Sequence, residues 1–210
     1  MIMKNKCKRL FALLLTLLIV LSLAACNKDK NDSQSETVKS DGYAKFSQLE
    51  IGMTESDVNA ILGEPAKVDK ASYYYNITVN GQDLEIEVWI DTTSGLVSYF
   101  SGNFAGDEYR AEFADSETDL SSADELDSGK LNTYEECVSA FKTPGYLISA
   151  SENGTKRYLW VDSNDGNLCV TFRADGSVKS YAGYCSNNKF SVLKLRLTDS
   201  GSLVFRLRLS

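Results

Sequence analysis

The chain has 210 residues, 43% of them hydrophobic and 24% charged, the balance of a packed globular protein rather than a disordered one. It contains no histidine, which excludes Ser-His-Asp and Cys-His nucleophile systems, histidine general bases and nearly every familiar catalytic zinc site. Its 22 basic against 29 acidic residues give −7, the wrong sign for a nucleic-acid footprint.

Lys4, Lys6, Lys8 and Arg9 precede an almost wholly apolar run from Leu10 to Leu23. A basic region, a short apolar region and small residues before a cut make a secretory signal peptide, and ~14 apolar residues fall short of the ~20 that span a bilayer. The junction Leu23-Ala24-Ala25-Cys26 resembles the bacterial lipobox, whose cysteine receives a diacylglycerol thioether and becomes the first mature residue. Residues 1–25 are thus expected to be a lipoprotein signal peptide and Cys26 the lipidation site. More than one acyl chain there would hold the protein stably at a membrane, outside the cytoplasm. Cleavage removes four basic residues, leaving 18 against 29 acidic, or −11. Residues 26–42 read as a flexible tether, since Asn27 to about Asp41 has no apolar residue except Val38.

The next stretch carries agreeing start and stop signals. Phe46 to Leu49 suggests a short helix, and Ile51-Gly52-Met53 a tight connection. Thr54 caps a second helix, with Asp57 three residues on as the capping-box acid. Val58, Ile61 and Leu62 form one apolar stripe that Gly63 and Pro65 end. Tyr75, Ile77 and Val79 alternate with polar residues up to the Asn80-Gly81 hairpin turn. Leu84, Ile86, Val88 and Ile90 then alternate with Glu85, Glu87, Trp89 and Asp91, a half-buried strand. Further strands are expected at Leu96 to Ser101 and Glu108 to Phe113. Residues 114–130 carry six acids (Asp115, Glu117, Asp119, Asp124, Glu125 and Asp127) and read as an exposed linker.

The same order returns beyond it. Thr133 caps a helix with Glu136 in the capping box, and Cys137, Ala140 and Phe141 take the places of Val58, Ile61 and Leu62. Pro144 stands eleven residues after Thr133, as Pro65 does after Thr54. Strands are expected at Arg157 to Val161, through Leu168, Val170 and Phe172, and from Val178, with turns at Asp165-Gly166 and Asp175-Gly176. This pattern reads as an internal duplication, with two unrelated α+β segments as the alternative. Residues 190–210 alternate apolar with Ser, Lys or Arg around Asp199-Ser200-Gly201, the pattern of a closing hairpin.

The segment FSQLEIGMTESDVNAILGEP, Phe46 to Pro65, resembles the opening of the SmpA/OmlA-type lipoprotein domain and of the β-lactamase-inhibitory-protein-like domain. Phe46, Leu49, Gly52, Met53, Thr54, Val58, Ile61, Leu62, Gly63 and Pro65 carry the likeness. The second copy departs from it, with Leu131 and Asn132 for Gly-Met and Lys142 for the capping glycine. The resemblance implies an α+β fold of two tandem repeats, residues 43–113 and 131–210, each with two helices and a four-stranded antiparallel sheet. The duplication is similar to the inhibitory protein, whose repeats form one long concave sheet that grips an enzyme. The function this implies is a non-catalytic, protein-binding lipoprotein acting outside the cytoplasm. The alternative is a structural or assembly lipoprotein of a cell-envelope complex, as in the SmpA/OmlA group.

Strand period two nominates the binding residues. If Leu84, Ile86, Val88 and Ile90 pack on helices, Glu85, Glu87 and Trp89 face away, and Tyr74 and Phe100 with them. Burying Leu159, Val161, Leu168, Val170 and Phe172 exposes Tyr158, Trp160 and Tyr181. Clustered aromatics on a solvated sheet make protein-binding surfaces, the alternative being that another layer covers them. Cys137, Cys169 and Cys185 remain in the mature chain besides Cys26. Cys169 and Cys185 are the candidate disulfide, although a two-residue turn at Asp175-Gly176 sets Cys169 opposite Ala182, so the pair needs a bulge. Glu85 and Glu87 lie two apart on one strand but in no catalytic motif, so neither a catalytic residue, a metal ligand nor a cofactor is expected.

Overall fold

The computed structural model describes residues 41–164 and 166–184. The expected signal peptide, Cys26, Cys185 and the 190–210 hairpin lie outside the described residues. No described helix is long and apolar enough to cross a membrane.

The first helix, α1 (Asp41–Phe46), ends where a helix was expected to begin. Gln48 and Leu49 instead continue as turns, their N–H groups donating to the Lys45 and Phe46 carbonyls. Thr54 caps α2 (Glu55–Leu62): its side chain accepts from the Asp57 N–H, and the Asp57 carboxylate accepts from the Thr54 N–H at 2.9 Å. The Thr54 hydroxyl and N–H hold the Asp57 carboxyl below its ordinary range. The box recurs at α5 (Tyr134–Phe141), where Glu136 accepts from Asn132 and Thr133 at 2.7 and 3.0 Å.

The strands are β1 (Lys67–Asp69), β2 (Ser72–Val79), β3 (Gln82–Ile90), β4 (Val97–Gly102), β5 (Ala114–Asp115), β6 (Tyr146–Ser151), β7 (Lys156–Asp162), β8 (Asn167–Phe172) and β9 (Val178–Tyr184). They form one nine-stranded sheet in the order β1-β2-β3-β4-β6-β7-β8-β9, with β5 pairing parallel to β7. This corrects the expected fold class: the molecule is mostly one antiparallel sheet with few and short helices, not two tandem helix-helix plus four-stranded repeats. The joint is main-chain pairing of β4 with β6, through Tyr99↔Ser151, Phe100↔Ala150 and Ser101↔Ser149. A separate first unit would leave the outer edge of β4 unpaired, and β6, a strand absent from the sequence reading, satisfies it. The short β1 was missed as well.

The core crosses the joint too. One cluster gathers Phe46, Ile86, Val88 and Phe104 with Ile148 and Leu159 from beyond the linker. A second lies under α5, around Cys137, Phe141, Trp160, Val170 and Phe172. Glu108 to Phe113 is not a strand; it ends in α3 (Arg110–Phe113), which carries Phe113 into the first cluster. Residues 114–130 are not simply exposed either. They supply β5 and α4 (Glu125–Ser128), and bury Leu120 and Leu126. Lys142, in a left-handed conformation after α5, donates to Asp119 at 2.8 Å and holds that carboxyl far below the usual carboxylate range. The density of acids hid this role, because the two leucines that point inward, Leu120 and Leu126, stand singly between Asp119, Glu125 and Asp127.

Candidate binding face

The alternation of β3 divides its side chains cleanly. Leu84, Ile86, Val88 and Ile90 are buried, Glu85 is exposed, Glu87 is half-buried and Trp89 is 46% exposed. The Trp89 ring lies 5.3 Å from Tyr99, and its indole N–H donates to Glu87 Oε1 at 2.6 Å. The Tyr74 hydroxyl donates to the same oxygen at 3.4 Å, and Lys67 Nζ stands 4.9 Å over the Tyr74 ring. An exposed tryptophan with a hydrogen bond and a ring neighbour is held in one orientation, so ordering it on contact costs little entropy.

Four of the expected face residues lie elsewhere. Phe100 is buried, with its ring 5.5 Å from Phe46. Its partner across the ladder is Val88, because a register shift at Trp89/Ile90 offsets β4 by one position. Residues opposite one another share a face, so Tyr99 rather than Phe100 joins Trp89. Trp160 pairs with Leu168, and Tyr158 and Tyr181 flank Val170 on either side. All three therefore lie on the face that carries Leu168, Val170 and Phe172, and α5 covers that face. Trp160 is fully buried, donating its indole N–H to the Thr143 carbonyl at 2.8 Å. Tyr181 is buried with its hydroxyl on Asp127, and Tyr158 is half-buried 4.7 Å from the Tyr134 ring. The successive residues Leu159, Trp160 and Val161 are all buried, in different clusters, so β7 is covered on both sides.

Cys169 is placed as the two-residue turn at Asp175-Gly176 implies. Cys169 stands opposite Ala182 and carries a buried free thiol. Cys137 is buried as well, and desolvation pushes its thiol up to about 12. Burial also raises the Cys169 thiol, against the lowering effect of neighbouring Arg157.

Sequence reasoning missed the centre of the face. Tyr74 pairs with Glu87, Glu87 with Ser101, Ser101 with Ser149, Ser149 with Arg157 and Arg157 with Thr171. These residues form one row across six strands, on the side opposite Val88, Phe100 and Ala150. The middle of the row opens into a pocket of about 340 Å³ lined by Tyr99, Ser101, Ser149, Ser151, Arg157 and Thr171. Among the described residues, the hydroxyls of Ser101, Ser149 and Thr171 have no hydrogen-bond partner. The available signal was the period-two recurrence of hydroxyl-bearing residues, Tyr99/Ser101 and Ser149/Ser151, in strands too short to show an apolar stripe. No protein-family model matches the chain, and no curated protein does. The face offers hydroxyls, one aromatic pair, a carboxylate and a guanidinium, a set suited to recognition.

Proposed function

We propose that the chain is a lipoprotein, anchored outside the cytoplasm through Cys26, that binds a protein partner on the solvated face of its sheet without catalysis. The observation that carries this reading is Trp89. A large aromatic ring left 46% exposed, oriented by Glu87 and tilted against Tyr99, beside a polar pocket, is the composition of an interface anchor. The lipobox-like junction at Leu23 to Cys26 supports the anchor, and the polar stretch after it supports a tether that lets the sheet reach a partner.

Truncating Trp89 leaves the core untouched but removes its cross-strand contact with Tyr99, so Trp89→Ala should lower stability by only about 1 kcal/mol. Binding should fall by about 30-fold or more, the loss of a central aromatic anchor. Capture from cell-envelope extract and medium, by full-length protein and by Trp89→Ala, measures this. Equal recovery of the same partner by both would remove the face from the interface. Cys26→Ser should move the protein from the membrane fraction to the soluble one; retention in the membrane would refute the lipid anchor.

A further inference from the structure

The row across the sheet has opposite charges at two fixed places. Glu87 lies on β3 and Arg157 on β7, on the same face, with only Ser101 and Ser149 between them. Among the described residues, neither Glu87 nor Arg157 has an oppositely charged partner at ion-pair distance. Lys67 is placed over the Tyr74 ring instead, and the neighbour of Arg157 is the Cys169 thiol. Three strand spacings separate the two charges, about 14 Å. An extended chain covers that distance in about four residues. The two serines keep the interval low, so a chain laid across the strands meets no large side chain there.

We infer that this row receives an extended segment of the partner protein that carries a basic and an acidic residue four positions apart. The basic side chain sits against Glu87 and the Trp89–Tyr99 rings, where the carboxylate and the ring faces both attract a cation. The acidic side chain enters the pocket, where its carboxylate accepts from the Arg157 guanidinium and from the Ser149 and Thr171 hydroxyls. This rests on the protein-binding reading above and adds the chemistry of the partner.

The test uses the full chain in detergent micelles and the peptide acetyl-Lys-Ser-Gly-Ser-Glu-amide, followed by nitrogen–proton NMR. Trp89 and Trp160 give two indole N–H signals, one on the face and one in the core, so the second is an internal control for folding. The peptide should move the Trp89 indole and Arg157 Nε–H signals saturably and leave Trp160 unmoved. Replacing its lysine by norleucine, or its glutamate by glutamine, should each weaken binding about tenfold. Arg157→Gln, with the Trp160 signal in place, should bind the glutamate and glutamine peptides alike. Equal binding of all three peptides by the unmodified protein, or no shift at millimolar peptide, overturns the inference. If the peptides fail while Trp89→Ala still loses its captured partner, the charge-pair inference falls and the protein-binding face stands. If Trp89→Ala keeps its partner too, both fall.

Discussion

Trp160→Ala should lower the unfolding free energy by about 3–5 kcal/mol, and the melting temperature by roughly 10–20 °C. The ring is fully buried and lies 5.5 Å from Phe141 and 6.4 Å from both Phe172 and Tyr134, so alanine leaves a cavity that α5 and β8 cannot both close. The lost indole also strands the Thr143 carbonyl, an acceptor whose partner is removed in a buried site. Gly145 shows how closely the ring is fitted: a Cβ there would lie 2.6 Å from it. Urea denaturation of Trp160→Ala beside Trp89→Ala makes the comparison direct. Two tryptophans of one sheet, expected from alternation to be alike, should differ by several kcal/mol. Similar small losses for both would place Trp160 outside the core and undo the face assignment.

Gly42→Ala is the second large effect. On helix propensity alone the change is favourable, by about 1 kcal/mol, because glycine costs that much in a helix interior. A Cβ at this position, however, would stand 2.1 Å from the Thr78 carbonyl oxygen and 2.9 Å from its carbon. Both are main-chain atoms of β2, which cannot rotate away. The overlap must be relieved by lifting α1 off the sheet, and α1 carries Tyr43 and Phe46 into the first cluster. Overpacking of this kind costs 1–3 kcal/mol and more where the obstacle is backbone. We expect a net loss of about 2–3 kcal/mol, read as a lowered urea midpoint at unchanged slope. A stabilised variant would mean that α1 is not docked against Thr78.

The parts of this fold that could be read from the sequence are those written in neighbouring residues. The capping boxes at Thr54–Asp57 and Thr133–Glu136 close within four residues, so they were legible, as were the ends of α2 and α5. The two faces of β3 were legible because eight residues of strict alternation, Asp83 to Ile90, leave one arrangement. What failed depends on partners far along the chain. Phe100 looks like an outward residue until the shift at Trp89/Ile90 is known, and that shift belongs to a pair of strands. Leu159, Trp160 and Val161 form an unbroken apolar run, the mark of a strand covered on both sides, which a one-sided reading splits incorrectly. The pairing of β4 with β6 has no local sign, since it links residues 48 to 52 positions apart.

That pairing makes the face a ruler. The span between Glu87 and Arg157 is set by the hydrogen-bond spacing of successive strands, and rotamers adjust it only at the tips of the side chains. Moving the cation to Ser149 or Thr171 would change the span by one strand, about 4.8 Å, and no smaller step exists. A slip of one residue between β4 and β6 would turn Ser149 inward and Ala150 out, carry Arg157 to the other face with them, and erase the scale altogether. Specificity on this surface is therefore quantised by the backbone, and a partner that needed an intermediate spacing would have to supply the difference itself.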